Sequence, residues 1–129
     1  MKVHHIGYLV KKMEKAKKAF EDLGYAVKQD VVFDDYRQID ICFLEKDGYV
    51  VELVSPVSKD SVIANLYKKY GNSPYHICYE TDDIDKSIAE LQEKNYMVFD
   101  EKHEAVAIDG KNVCFMIHPA LGMIELVEA

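Results

Sequence analysis

Two stretches, HHIGYLVKKMEKAKKAFEDLGYAV at residues 4–27 and YHICYETDDIDKSIAELQEKNYMV at residues 75–98, decide how this chain is read. Laid over one another they set His5 on His76, Ile6 on Ile77, Tyr8 on Tyr79, Met13 on Ile84, Lys15 on Lys86, Phe20 on Leu91, Tyr25 on Tyr96 and Val27 on Val98. A second match follows later in each half, where VVELVSP (50–56) lies over MIELVEA (123–129) and sets Glu52 on Glu125. Two ordered matches at opposite ends of both halves mark a duplicated module. Such a repeat constrains the fold more than any local propensity.

Each half opens with a strand whose apolar residues alternate, followed by a segment of helical period: Met13, Ala16, Phe20 and Leu23 in the first, Ile84, Ile88 and Leu91 in the second. Asp82 or Asp83 is placed to cap the second helix, and Gly24 and Asn95 are the stop residues. Strands are predicted at 25–33, 36–46 and 49–55, the last two joined by a Lys-Asp-Gly turn at 46–48. The second half offers strands at 96–101, 104–109, 112–117 and 122–127, with turns at DGKN and HPALG. The expected fold is therefore α+β, a pair of βαβββ modules. Module one covers 1–56, a linker with a short helix around 61–70 covers 57–73, and module two covers 74–129. A module of that size is marginal alone, so the two are expected to pack as one unit.

With 49% apolar residues in a chain of 129, there is enough material for a core. The net charge of −7, with a single arginine among 16 basic residues, provides no cationic field for nucleic acid or anionic lipid. Cys42, Cys78 and Cys114 stand singly among apolar neighbours, without C-x-x-C spacing, and read as buried thiols in a reducing compartment. No apolar run is long enough for a signal peptide or a membrane span, so a cytoplasmic location is expected.

Strand parity then raises a chemical question. His76 shares a face with Cys78 and Glu80, and its repeat mate His5 should face the same way. Glu52 and Glu125 lie mid-strand between Val51 and Leu53, and between Ile124 and Leu126. Unpaired buried carboxylates are costly. A divalent cation resolves this, because two imidazole nitrogens and two carboxylate oxygens suit Zn, Ni, Co, Mn or Fe and leave coordination positions open. A lone strand histidine is more often a hydrogen-bonded structural residue, but four ligand-type residues at repeat-related positions reverse that preference. His4, of opposite parity to His5, is expected to face outward or to pack beneath a helix; His103 and His118 are expected to be exposed, and Met13, Met116 and Met123 to pack. The lysines of KKMEKAKK read as a solvated helix face that is also able to meet substrate phosphates.

The segments HHIGYLV, VVELVSP, YHICYETDDIDKSI and MIELVEA resemble the vicinal oxygen chelate superfamily, which includes glyoxalase I, methylmalonyl-CoA epimerase, ring-cleaving dioxygenases and antibiotic-resistance proteins. The resemblance implies paired βαβββ modules forming a curved mixed sheet around one divalent metal ion, with His5, Glu52, His76 and Glu125 as ligands. Because that set is similar to the one in bacterial glyoxalase I, the expected function is a metal-dependent lyase or isomerase acting on a hemithioacetal. Ni, Zn or Co is the implied ion, with Glu125 and Glu52 moving the proton through an ene-diolate. Methylmalonyl-CoA epimerase is the alternative, carried by SPVSKDSVIANLYKKYGNSPYHICYETDDID. That enzyme also uses a non-ligand glutamate just ahead of the first module's third strand, where this chain has Tyr36. Gln38, Asp40 and Cys42 are expected to face inward with it, making Tyr36 and Asp40 candidate substrate-binding or proton-donating groups. Arg37 offers a clamp for a substrate carboxylate, although its parity points it away from the cavity toward an exposed role. A third reading is a resistance protein that binds a small molecule without turnover; such members usually lack the full metal set. The expected partners are a small-molecule substrate and a second copy in a homodimer.

Overall fold

The computed structural model describes residues Met1–Ala129. In chain order the elements are β1 (Lys2–Leu9), α1 (Met13–Asp22), β2 (Ala26–Asp34), β3 (Ile39–Lys46), β4 (Tyr49–Pro56), α2 (Ala64–Tyr70), β5 (Ser73–Thr81), α3 (Ile84–Gln92), β6 (Met97–Ala105), β7 (Lys111–His118) and β8 (Gly122–Glu128). The protein is α+β with an eight-stranded mixed sheet. No helix is long and apolar enough to cross a membrane.

The chain divides into two compact units, one of Ile6–Pro74 and one of Met1–His5 with Tyr75–Ala129. The unit that begins at Ile6 carries strands in the order β2-β3-β4-β1, antiparallel except for the parallel pair β1 and β4. In the other unit β5 runs parallel to β8, and β8-β7-β6 is antiparallel. Each parallel pair has a helix in the connection between its strands, as parallel neighbours require.

Alternation sorts each unit into two faces. On one face of the first unit, Cys42, Leu44, Val51 and Leu53 close over Val10 and Met13, with Ala16 and Phe20 of α1 packed against them. On the corresponding face of the second unit, Cys114, Met116, Ile124 and Leu126 enclose Ile84, with Ile88 and Leu91 of α3 against them. The opposite face takes Ile39, Ile41, Phe43, Glu52 and Val54 in the first unit and Val113, Phe115, Glu125 and Val127 in the second, as the register pairs them.

The helix signals hold in their particulars. Asp83 accepts a hydrogen bond from the Lys86 backbone N–H at 3.1 Å and caps α3. Gly24 (φ 99°) and Asn95 (φ 72°) take the left-handed conformation just beyond the two long helices. Leu23 is the exception: it caps α1 and is 65% exposed, because the helix ends before its apolar stripe reaches that position. The tight turn between β3 and β4 uses Asp47 (φ 53°) and Gly48 (φ 83°), the pair of positive φ angles that a two-residue hairpin with the twist of its strands demands.

Three sequence expectations are corrected. The strands predicted at 96–101 and 104–109 are one strand, β6, with an irregular register around Asp100 and a single 3-10 turn at Val106–Ile108 after it. The bulge is itself duplicated: β2 has the same irregularity around Gln29. At each bulge a cysteine of the neighbouring strand donates to the carbonyl, Cys42 to Gln29 and Cys114 to Asp100, both at 3.4 Å. The strand predicted from residue 36 begins at Ile39 instead, because residues 35–38 form a turn in which Gln38 adopts φ 55°. Finally, Cys42 packs in the α1 core, so the even-numbered residues of β3, Asp40 included, lie on the helix-covered face and not on the face of Glu52.

Burial pushes the Cys42 and Cys114 thiols up to about 11. A thiol whose folded value is raised stabilises the fold below its ordinary value of about 8.5, and that contribution is lost as pH rises through the folded value. All three cysteines are free of disulfides and buried. Native protein at pH 8 should therefore react with a chromogenic disulfide reagent far more slowly than protein in denaturant. Melting temperature should fall as pH is raised from about 8.5 toward 11; fast native labelling of Cys42 or Cys114 would contradict this packing.

Candidate metal centre

Three side chains of the unit that contains β5 to β8 converge on one point. His5 sits on β1, His76 on β5 and Glu125 on β8, and they are 1%, 4% and 3% exposed. His76 and Glu125 share a face because Cys78, two residues after His76, is the β-ladder partner of Glu125. His5 Nε2 lies 3.2 Å from His76 Nε2, 3.0 Å from Glu125 Oε1, and His76 Nε2 lies 3.1 Å from the same oxygen. Two buried ring nitrogens and a buried carboxylate oxygen thus form a nearly equilateral triangle.

A proton between the two imidazoles accounts for one side of that triangle only. Glu125 Oε1 is buried and makes no well-directed hydrogen bond, despite its closeness to both nitrogens. An ion accounts for all three sides: octahedral ligands at about 2.1 Å stand about 3.0 Å from their neighbours. The donor set fits as well, since two imidazoles and a carboxylate suit a divalent transition ion and leave open positions. Burial alone pushes the Glu125 carboxyl up, but the His5 and His76 imidazoles against it more than offset this and hold it well below the usual carboxylate range. It is a carboxylate ready to ligate.

Aromatic rings set the angle of His76. Tyr75 and Phe115 meet it edge to face, with centroids at 4.4 and 5.2 Å. Phe115 pairs with Glu125 across β7 and β8, and in the first unit Phe43 pairs with Glu52 across β3 and β4. The repeat therefore includes an aromatic beside each glutamate, a signal that was present in the sequence at the matching strand positions. Glu52 itself is buried on β4, where Gly7 is its ladder partner on β1.

The remaining candidates lie elsewhere. Tyr36 is 57% exposed on the turn before β3, and Asp40 belongs to the face of Cys42; neither takes the place of a glutamate beside Glu52. Arg37, expected at the surface, is 3% exposed: its Nη1 and its backbone N–H both donate to the Asp34 carboxylate at 3.0 Å, which closes the 35–38 turn. The pair is buried, so removing one partner would strand the other. His4, expected to face outward or to pack under a helix, instead has its Nδ1 2.8 Å from His5 Nδ1.

A family model for the Glyoxalase/Bleomycin resistance protein/Dioxygenase superfamily matches residues 4–115. The chain belongs to that superfamily. Among curated relatives it is 28% identical to mitochondrial methylmalonyl-CoA epimerase of Bos taurus over 92% of this chain and 67% of that protein. The Homo sapiens enzyme of the same name is likewise 28% identical, over 99% and 74%. Among solved structures, methylmalonyl-CoA epimerase from Mycobacterium tuberculosis superposes with a TM-score of 0.83 at 23% identity, covering 98% and 87%, a likeness of fold.

These relatives overturn the glyoxalase I expectation. They are epimerases, the alternative reading, and the lactoylglutathione-type chemistry and the nickel or zinc preference attached to it lose their support. The physical reason for the misreading is that one ligand set serves any proton transfer beside a carbonyl; the ligands do not distinguish the substrates.

If the triangle holds an ion, a ligand that binds only folded protein raises the melting temperature. Cobalt(II) at a hundredfold excess over its dissociation constant should raise it by roughly 5–10 °C. His76→Ala should lose most of that shift. A variant that retains the full shift would place the ion elsewhere.

Proposed function

We propose that this protein is a metal-dependent epimerase of the methylmalonyl-CoA epimerase type, inverting the carbon between a thioester carbonyl and a carboxylate. The observation that carries the reading is the convergence of His5 Nε2, His76 Nε2 and Glu125 Oε1 within 3.0–3.2 Å, in a chain that has curated relatives of that name. In this reading Glu52, which holds on β4 the place that Glu125 holds on β8, completes the ligand set. When bound, the divalent cation supplies Lewis-acid stabilisation of the charge that develops on the thioester oxygen.

The rest of the work falls to the chain's own carboxylates. Inversion removes the proton at the 2-carbon from one face and returns it on the other, so two proton carriers are required. Tyr36 is exposed and Asp40 faces α1, while the residues of β3 on the Glu52 side, Ile39, Ile41 and Phe43, are apolar. We assign the two carriers to Glu52 and Glu125, the buried carboxylates at repeat-related positions; the third buried carboxylate, Asp34, is held by Arg37. Each has one oxygen for the ligand position and a second for the proton. The apolar residues around them exclude bulk water, which strengthens their electrostatic effect on the reacting carbon.

Metal-loaded protein incubated with one epimer of methylmalonyl-CoA in deuterium oxide should incorporate deuterium at the 2-carbon and yield the other epimer. No incorporation with the metal bound would overturn the assignment. Glu125→Gln should lower the rate by about 10²-fold or more while the metal-free variant keeps its circular dichroism spectrum. A fully active variant would remove Glu125 from the mechanism.

A further inference from the structure

The His4 imidazole is the polar side chain at the centre that the mechanism above does not use. Its Nδ1 stands 2.8 Å from His5 Nδ1, the rings meet edge to face with centroids 5.1 Å apart, and both belong to the compact unit that holds His76 and Glu125. His5 therefore has two engaged nitrogens: Nε2 toward His76 and Glu125, and Nδ1 toward His4.

A neutral imidazole carries one N–H and one lone pair, and the hydrogen bond at one nitrogen decides which the other presents. For His5 to give the Nε2 lone pair to an ion, its proton must sit on Nδ1. At 2.8 Å the only acceptor role left to His4 is its own Nδ1 lone pair, which puts the His4 proton on Nε2. The bond then runs in one direction, from His5 Nδ1–H to His4 Nδ1.

We propose that His4 is a positioning residue for the metal centre, holding His5 in the tautomer and ring orientation that aim Nε2 at the ion. The proposal rests on the reading of His5 as a ligand. A competing arrangement places an ion among His4, His5 and Cys78, whose ligand atoms also lie close together. It fits less well. Tetrahedral zinc with nitrogen ligands at about 2.05 Å spaces them about 3.3 Å apart, whereas 2.8 Å is hydrogen-bond spacing. It would also require the Nδ1 lone pair of His5, which that residue lacks once Nε2 is the ligand.

The groups that orient ligand imidazoles are commonly carboxylates or backbone carbonyls, and losing one costs 10- to 100-fold in metal affinity. Here the partner is an imidazole from the preceding residue of the same strand, so the ligand and its orienting group move as one piece of backbone.

The test compares cobalt(II) affinity, by competition with a chromogenic chelator, in wild type, His4→Phe, His4→Asn and His76→Ala. His4→Phe keeps a ring but removes the acceptor and should weaken binding about tenfold or more. His4→Asn returns an acceptor near the Nδ1 position and should recover most of the loss, with both metal-free variants melting as wild type does. His4→Phe binding within twofold of wild type overturns the proposal. Wild type that binds no ion, or His76→Ala that binds as wild type, overturns the ligand reading instead. Independently of any variant, long-range proton–nitrogen NMR of the zinc-loaded wild type should show an exchange-protected proton on His5 Nδ1; a lone-pair shift there overturns the role of His4.

Discussion

Desolvation of charge is the constraint on which this structure turns. His5, His76 and Glu125 lie almost wholly out of water, and their three donor atoms point at one another across 3.0–3.2 Å. Taking a carboxylate out of water costs several kcal/mol even after the protein relaxes. For Glu125 the attraction of the two imidazoles outweighs that cost and keeps the group ionised against the opposing effect of burial. An ion bound there would take up the three donor atoms that now face one another, which is the ground for reading this buried cluster as a site and not merely a core defect.

The sheet places these groups by alternation alone. In each unit one set of strand residues meets a helix: Leu53 and Cys42 under α1, Leu126 and Cys114 under α3. The intervening residues, Glu52 with Phe43 and Glu125 with Phe115, are thereby sent to the other face. The duplicated bulges at Gln29 and Asp100 bend the outer strands at matched positions, each tied by a cysteine thiol to the bulge carbonyl. Core packing and site chemistry are thus two readings of one register, and a slip of one residue would exchange them.

Much of this was legible in the sequence because the repeat registers His5 with His76 and Glu52 with Glu125 independently of any strand boundary. Parity failed at β3 for a physical reason. IDICFL carries buried apolar residues on both sides, Ile39, Ile41 and Phe43 on one and Cys42 and Leu44 on the other, so alternation does not say which face is which, and the turn at 35–38 with left-handed Gln38 breaks the count from Tyr36. His4 was missed because a bond between adjacent side chains leaves no periodic trace. Arg37 was misplaced because a short turn folds it onto Asp34, three residues earlier, and buries both. The choice of chemistry was misread for a different reason: the ligands are common to reactions that share a transition state beside a carbonyl, and the residues that separate those reactions are not the ligands.

Two imidazoles and a carboxylate that meet at hydrogen-bond spacing are asserted to be the walls of a cation site. Crystals grown with cobalt(II) and measured at the metal's absorption edge test this directly. One anomalous peak is expected about 2.1 Å from His5 Nε2, His76 Nε2 and Glu125 Oε1. Occupied crystals with the peak elsewhere, and the His5–His76 contact unchanged, would contradict it.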